Sequence, residues 1–521
     1  MIKNIYLDKN GGNYIAALAE GGKLLEYHIE RDDDSNIVGN IYKGKVVNVL
    51  EGMQAAFVNV GLKKNAYLYV NELLPDKGDV VGSVDIPLTL NLKEGDEILV
   101  QVVKDYVGNK GVKCSPYLSF AGVYLVYMPS FDIVGVSRKI EDEAIRERLT
   151  ATVEGFKRPG QGGFIVRTAA AKASKRELKK EAEELYSQYE ATRRFAESIS
   201  APAQVHAEGD LITRMLRDVY SSDVAHIYFG NKTMYETVTS GKCLNEKTCE
   251  NTGPCCNQAL FGGNARRKEE YKKKAILFDR STDMFNHFGL DREVDKLLRN
   301  RVELSSGAYL IIDKTEALTA IDVNTGKFTG KKNLEETVFQ TNMLATAEIA
   351  RQVRLRNIGG IVVVDFIDME EEEHRTKVVE ALENALKQDR SKCNVLGMSA
   401  LGLVEFTRKK KRKESTSMLV QECPYCKGDG LVYSNDYVVQ KLRIALLDLF
   451  AEGFSSAIID LNADIADYII KRNALSKDVS KIWSDKRIYI VPHRTYHLEE
   501  FSVRGDNSRV LDLPDNAKFL Y

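Results

Sequence analysis

The chain has 521 residues, too many for one compact fold at roughly 150 residues per domain. Hydrophobic residues make up 44% and charged residues 29%, the balance of a chain that buries real cores, which excludes a disordered or collagen-like protein. Seventy-four Lys and Arg against 75 Asp and Glu leave a formal charge of -1, so a nucleic-acid surface has to come from local clustering and not from the total.

The first segment alternates β-like runs, Asn4-Ile5-Tyr6-Leu7 and Tyr14 to Leu18, with Gly pairs, which predicts a hairpin entering a sheet. From Asn40 to about Ser119 come short strands at Ile41–Val47, Ala55–Val60, Asn65–Tyr69 and Asp96–Val103, with Gly at the corners. That rhythm, without a comparable helical stripe, predicts a small closed barrel of the OB type, a fold that often takes single-stranded nucleic acid. Residues 120 to 202 mix strands at Gly122–Met128 and Gly163–Thr168 with a charged helix from Ser174 to about Glu197, whose Lys175, Arg176, Lys179 and Lys180 read as a solvated face. A helix and a strand, Val224–Tyr228, follow. Lys242 to Lys274, with Cys243, Cys249, Cys255, Cys256 and the basic run Arg266-Arg267-Lys268, reads as an inserted surface loop. Leu290 to about Ser417 is the clearest α/β unit. A Cys/Gly segment at Glu422–Gly430 precedes a small α/β domain reaching Tyr521.

No apolar run approaches the roughly 18 residues of a membrane span, and the opening MIKNIYLDKNGG lacks the apolar core of a signal peptide. Eight scattered cysteines in so long a chain do not make a disulfide framework. The expectation is a cytoplasmic protein in a reducing compartment.

The chemistry concentrates in the α/β unit. Ala317 to Lys327 runs an apolar strand into Asp322, Asn324 and a Gly turn, and Ile361 to Asp368 runs another into Asp365. Between them Asn333 to Arg356 reads as one helix, with Leu334, Val338, Ala345, Ile349 and Val353 on a stripe. A right-handed crossover of this length places the strands parallel, about 4.8 Å apart, with both acids near the carboxyl ends where open α/β sheets bind ligands. Two carboxylates so close repel unless a cation intervenes, and the pair suits Mg²⁺. Asn324 falls on the same side of a continuing strand as Asp322, whereas alternation turns Asp368 away from Asp365. The ordinary alternative, acids that merely end strands, has about equal weight on spacing alone.

Cys423-Pro424-Tyr425-Cys426, followed by Lys427-Gly428-Asp429-Gly430, is a metal-knuckle arrangement for Zn²⁺. Its rival, a redox dithiol, should start a helix behind a strand, and this one lies between domains. The missing two thiolates come either from a symmetry-related chain or from the cysteine cluster at 243–256. In the barrel, Phe57 and Tyr67 offer faces for stacking on bases and Lys110 a charge for a phosphate, although a lone strand aromatic is more often core. Arg167 and Thr168, at a strand end, suit a terminal phosphate, and Arg408 to Lys413 is the strongest local basic run.

In that order, Thr315 to Lys327, Val364-Asp365-Phe366-Ile367-Asp368-Met369 and Cys423-Pro424-Tyr425-Cys426 resemble the motifs of the bacterial ribonuclease E/ribonuclease G family. The resemblance spans most of Met1 to about Val432, and the absence of a long disordered tail puts the chain nearer the G type. It implies an α/β multidomain fold with an RNase H-like subdomain (residues 1–38 and 210–289, with the Cys-rich insertion 242–274) split by an S1 barrel (39–118). A 5′-sensor (119–209), a DNase I-like catalytic subdomain (290–419), a zinc link (420–433) and a small C-terminal domain (434–521) complete it. The implied activity is endonucleolytic cleavage of single-stranded, A/U-rich RNA to 5′-phosphate and 3′-hydroxyl ends, in rRNA and tRNA processing and mRNA decay. Asp322 and Asp365 become Mg²⁺ ligands supported by Asn324. Gly122 and Val126 join Arg167 and Thr168 around a 5′-monophosphate, and Phe57, Tyr67 and Lys110 line the S1 groove. Cys423 and Cys426 share zinc with a second chain, giving homodimers and tetramers built from them. Tyr67 replaces a Phe and Lys392 an RNA-binding Arg, which removes a bidentate donor. A catalytically silent S1 scaffold is the competing reading, and it has no need of two acids facing a phosphate backbone; a CxxC oxidoreductase is a third, which requires Cys423 and Cys426 free to cycle and would lose its basis if the protein carried tightly bound zinc.

Overall fold

The computed structural model describes residues 2–31, 37–50, 55–69, 92–105, 111–240, 265–326, 334–409, 419–508, 510 and 513–521. Lys110, the cysteines at 243–256 and residues 410–413 lie outside them. The chain forms two compact units, Met1–Leu419 and Val420–Tyr521.

The first unit opens with a three-stranded meander, β1 (Lys3–Asn10), β2 (Asn13–Glu20) and β3 (Lys23–Arg31). Its turns are Gly11-Gly12 and Gly21-Gly22, all four at positive φ, the backbone that two-residue hairpins require. Next come β4 (Ile41–Leu50), β5 (Ala55–Asn59), β6 (Ala66–Tyr69), β7 (Glu97–Lys104) and β8 (Lys113–Ser115). They run in the order β4-β5-β6-β8-β7, and β4 pairs again with β7, which closes a five-stranded barrel. Val46, Val58, Leu68 and Val100 fill it. This is the expected OB-type architecture.

A four-stranded sheet follows, of β9 (Phe120–Ala121), β10 (Leu125–Met128), β11 (Val134–Val136) and β12 (Gly163–Val166), with helices α1 (Glu143–Glu154) and α2 (Lys175–Ser198). Ser174 and Glu177 start α2 with a reciprocal capping box. The single strand expected over Gly122–Met128 is interrupted at 122–124. The buried Glu181 carboxylate of α2 accepts the N–H groups of Val123, Tyr124 and Leu125 at 2.7–2.8 Å, taking those donors out of the ladder. Burial pushes the Glu181 carboxyl upward, and the three donors oppose that shift.

β13 (Ala203–His206) returns to β4. Then α3 (Leu211–Asp218), β14 (Val224–Phe229), α4 (Lys232–Ser240), α5 (Ala265–Lys274), β15 (Ala275–Leu277), α6 (Met284–His287) and α7 (Leu290–Leu297) complete the region. β14 pairs parallel with β1 in the sheet β15-β14-β1-β2-β3, so segments before and after the barrel share one sheet. The basic run expected on a surface loop is in part helical and interior. Arg267 of α5 is buried, donating to the Leu216 carbonyl and the Tyr271 hydroxyl.

The next sheet runs β16-β17-β18-β19-β21-β20, from β16 (Arg301–Glu303), β17 (Tyr309–Lys314), β18 (Leu318–Asn324), β19 (Gly360–Asp365), β20 (Cys393–Met398) and β21 (Leu403–Arg408). Helices α8 (Leu334–Leu355) and α9 (Glu372–Lys387) supply Ala345, Ile349, Val378 and Leu382 to a core shared with Leu310, Ile321, Val362, Val364 and Phe406. The second unit has α10 (Asn435–Ala451), β22 (Ser456–Asn462), α11 (Ala463–Arg472), α12 (Ser476–Lys481), β23 (Arg487–His493), β24 (Phe501–Asp506) and β25 (Lys518–Phe519). Its sheet, β24-β22-β23-β25, packs on its helices around Leu442, Ile459, Trp483 and Ile490.

Arg408, expected to head a basic patch, is instead 4% exposed and paired with the equally buried Asp389 at 2.9 Å. It also donates to the Ile358 carbonyl and the Asn357 side chain. Removing one partner strands a buried charge. Arg408→Leu should therefore destabilise the first unit by about 3–5 kcal/mol, read as a fall in its unfolding midpoint; an unchanged midpoint would contradict the assignment.

Candidate active site

β18 and β19 pair in parallel with Asp322 directly opposite Asp365. Strand alternation sends Ile321, Val323, Val362 and Val364 into the core beneath, and turns Ala320, Asp322, Asn324 and Asp365 to the other face. Both acids are exposed there. Asn324 donates its amide to Asp322 Oδ2 at 2.7 Å, which orients that carboxylate. β19 ends at Asp365, so the strand alternation expected to turn Asp368 away does not reach that residue, which is exposed beyond the strand end.

A cavity of about 510 Å³ lies in the same unit, with Val126, Arg167, Thr168 and Lys392 on its wall. The lining carries nine Arg or Lys side chains against three acids, Glu26, Asp218 and Asp389. Most of the guanidiniums are already engaged. Arg167 donates to the Gly122 carbonyl and to Asp218 at 2.7 Å, Arg214 to Glu30, and Arg354 and Arg390 to Glu26. Burial opposes ionisation of Asp218, but Arg217 and Arg167 outweigh it and hold the carboxyl far below its usual range. Glu26 is depressed in the same way, burial being overcome by Arg390, His28 and Arg354. The Lys392 ammonium has no side-chain or backbone partner among the described residues. The pocket is thus a pre-organised cationic wall with donors left for an anion, since an Arg has five N–H groups.

Gly122 does not offer a side chain to this wall. A Cβ there would come within 2.6 Å of the Glu181 carboxyl carbon, so only glycine lets the 122–124 turn sit on Glu181 and aim its carbonyl at Arg167.

On the barrel, Phe57 and Tyr67 are cross-strand neighbours, half-buried, with ring centroids 5.6 Å apart and edge-on. Lys110 lies outside the described residues. Lys113, which sequence reasoning missed, sits beside Tyr67 across β6 and β8, its ammonium 6.0 Å from the ring centre. Nothing in one sequence distinguishes it from other strand lysines. Arg390 and Asp218 were missed for the same reason: their roles come from chain segments far apart.

In the second unit, Cys423 is exposed and Cys426 half-buried. Lys427 and Gly428, both at positive φ, turn the chain sharply behind them. Backbone N–H groups of Cys426 and then Tyr425 pull the Cys423 thiol below its usual range, toward thiolate. His497 bonds the Tyr425 carbonyl at 2.7 Å and packs on its ring. Among the described residues no group of three or more His, Cys, Asp or Glu is placed to hold a metal. By contrast Cys114 and Cys393 are pushed up by burial to about 12 and about 11, the state of inert thiols.

A closed OB-type barrel, a cationic pocket and a carboxylate pair on an α/β sheet define a multidomain α/β protein built to handle phosphate-bearing polymers. The family model for the ribonuclease E/G family matches residues 119–253 and 258–411. The chain is 37% identical to ribonuclease G of Escherichia coli over 493 residues, 94% of this chain and 96% of that one. It is 36% identical to ribonuclease G of Haemophilus influenzae over 496 residues, again 94% and 96%. To ribonuclease E of Escherichia coli it is 31% identical over 499 residues, 94% of this chain but 45% of the longer relative. The chain belongs to the ribonuclease E/G family. No helix among the described residues is long and apolar enough to cross a membrane.

Proposed function

We propose that this chain is an Mg²⁺-dependent endoribonuclease that cuts single-stranded, A/U-rich RNA, leaves 5′-phosphate and 3′-hydroxyl ends, and favours 5′-monophosphorylated substrates. Endoribonuclease activity itself follows from family membership. The metal reading rests on one observation, the direct register of Asp322 and Asp365 on an exposed sheet face. Two carboxylates with an amide beside them are the hard oxygen donors that Mg²⁺ takes, and their exposure leaves room for waters and a phosphate. When bound, the cation would neutralise charge developing on the phosphodiester and make a bound water more acidic. Asn324 keeps Asp322 turned toward that position. A pure RNA-binding scaffold would instead be penalised by two acids facing a polyanion.

The remaining roles extend the same reading. Phe57 and Tyr67 stack on unpaired bases, with Lys113 beside Tyr67 and Lys110, which lies outside the described residues, offering charges to the RNA backbone. Arg167 and Thr168 receive a terminal phosphate in a pocket that Val126 lines, with Gly122 shaping the turn and Lys392 contacting RNA. Cys423 and Cys426 supply half of a four-thiolate zinc site, which the same pair of a second copy completes, so the working form is a homodimer able to build tetramers. The substrates are precursors of rRNA and tRNA and decaying mRNA in the cytoplasm.

Asp322→Asn and Asp365→Asn should each abolish cleavage in Mg²⁺ while sparing RNA binding measured by filter retention. Wild-type rates in either variant would remove the metal site. Arg167→Ala should equalise cleavage of 5′-monophosphorylated and 5′-hydroxylated forms of one RNA; a preserved preference would dissolve the terminal-phosphate reading.

A further inference from the structure

Asp365 is the last residue of β19 with ladder partners, Asp322 on one side and Leu403 on the other. Beyond it the chain leaves the sheet. Phe366 and Met369 drop into the core, while the backbone between them lacks a strand to bond with. Side chains take the strand's place. Asn342, at the middle of α8 and 0% exposed, accepts the Ile367 N–H at 3.2 Å and donates to the Ile367 carbonyl at 2.8 Å. Arg375 donates twice to the Met369 carbonyl, at 2.8 and 2.6 Å. Glu335, in the first turn of α8, accepts the N–H groups of Glu370 and Glu371.

We infer that Asn342 is a positioning residue for metal binding: its amide clamps both polar groups of Ile367 and thereby fixes the direction in which Asp365 leaves the sheet opposite Asp322. The inference rests on the reading of Asp365 as a metal ligand. A buried amide with both ends on one residue's backbone restrains that residue in position and rotation, as a neighbouring strand would. Because α8 is also the crossover that joins the two acid-bearing strands, one rigid element governs both. Groups of this kind, which hold a ligand without touching the metal, typically change metal affinity by about 10–100-fold when removed.

The test compares wild type, Asn342→Ser and Asp365→Asn. Mn²⁺ serves as the probe, its binding read by electron paramagnetic resonance of the free ion, with a thermal melt and amide hydrogen exchange of the metal-free proteins alongside. Asn342→Ser should melt cooperatively, exchange faster across 366–371 and bind Mn²⁺ about tenfold more weakly. The Mg²⁺ needed for half-maximal cleavage should rise by the same factor, so that excess Mg²⁺ restores cutting, which a folding defect would not allow. Unchanged Mn²⁺ affinity in Asn342→Ser, with Asp365→Asn losing the ion, would overturn the inference alone. Wild-type Mn²⁺ binding by Asp365→Asn would overturn the ligand reading and the inference with it. Should Asn342→Ser fail to fold, the wild-type protein decides: the Ile367 amide has to be strongly protected from exchange, and exchange at the rate of an open chain would refute the clamp.

Discussion

The parallel pairing of β18 with β19 is the constraint on which the site depends. Two acids some forty residues apart in sequence become neighbours only because α8 spans the buried face of the sheet and returns the chain in the same direction. The driving force is apolar. Ala345, Ile349 and Val353 on the helix and Ile321, Val362 and Val364 on the strands leave water together, at about 25 cal/mol for each Å² removed. A one-residue slip of either strand would turn its acid into that core, so burial of one face fixes the register of the other. The repulsion between the carboxylates is thus sustained by packing on the opposite side of the sheet.

The cationic pocket follows a related logic. Most of its guanidiniums are not loose charges awaiting a ligand but are tied by a buried carboxylate or a backbone carbonyl. Asp218 holds Arg167 and Arg217, and Glu26 holds Arg354 and Arg390. Such pairing lowers the cost of gathering like charges and restricts the side chains beforehand, so that less ordering is lost when an anion arrives. Arg390 also donates to the Val219 carbonyl, and Lys139 to the Asp389 carbonyl, which joins the pocket wall to the segment following α9.

Much of this was legible in the sequence where the signal is local and periodic. The barrel strands, the crossover helix and the ends of both acid-bearing strands follow from alternation, from a 3.6-residue stripe and from Gly turns. What escaped depends on long-range burial. Arg408 and Arg267 look like members of basic runs, because composition cannot show that a buried carboxylate or an aromatic cage awaits one of them. The break in the strand at 122–124 needs Glu181, more than fifty residues away, to take three backbone donors. Asn342 looks like an ordinary polar residue on a helix until Ile367 is placed against it.

The most direct test of the account is an anomalous difference map from crystals of the protein grown with Mn²⁺ in place of Mg²⁺. The account predicts a peak within coordination distance of both Asp322 and Asp365, absent in Asp322→Asn. A fully active preparation whose Mn²⁺ peak lies elsewhere, with both carboxylates unliganded, would contradict it.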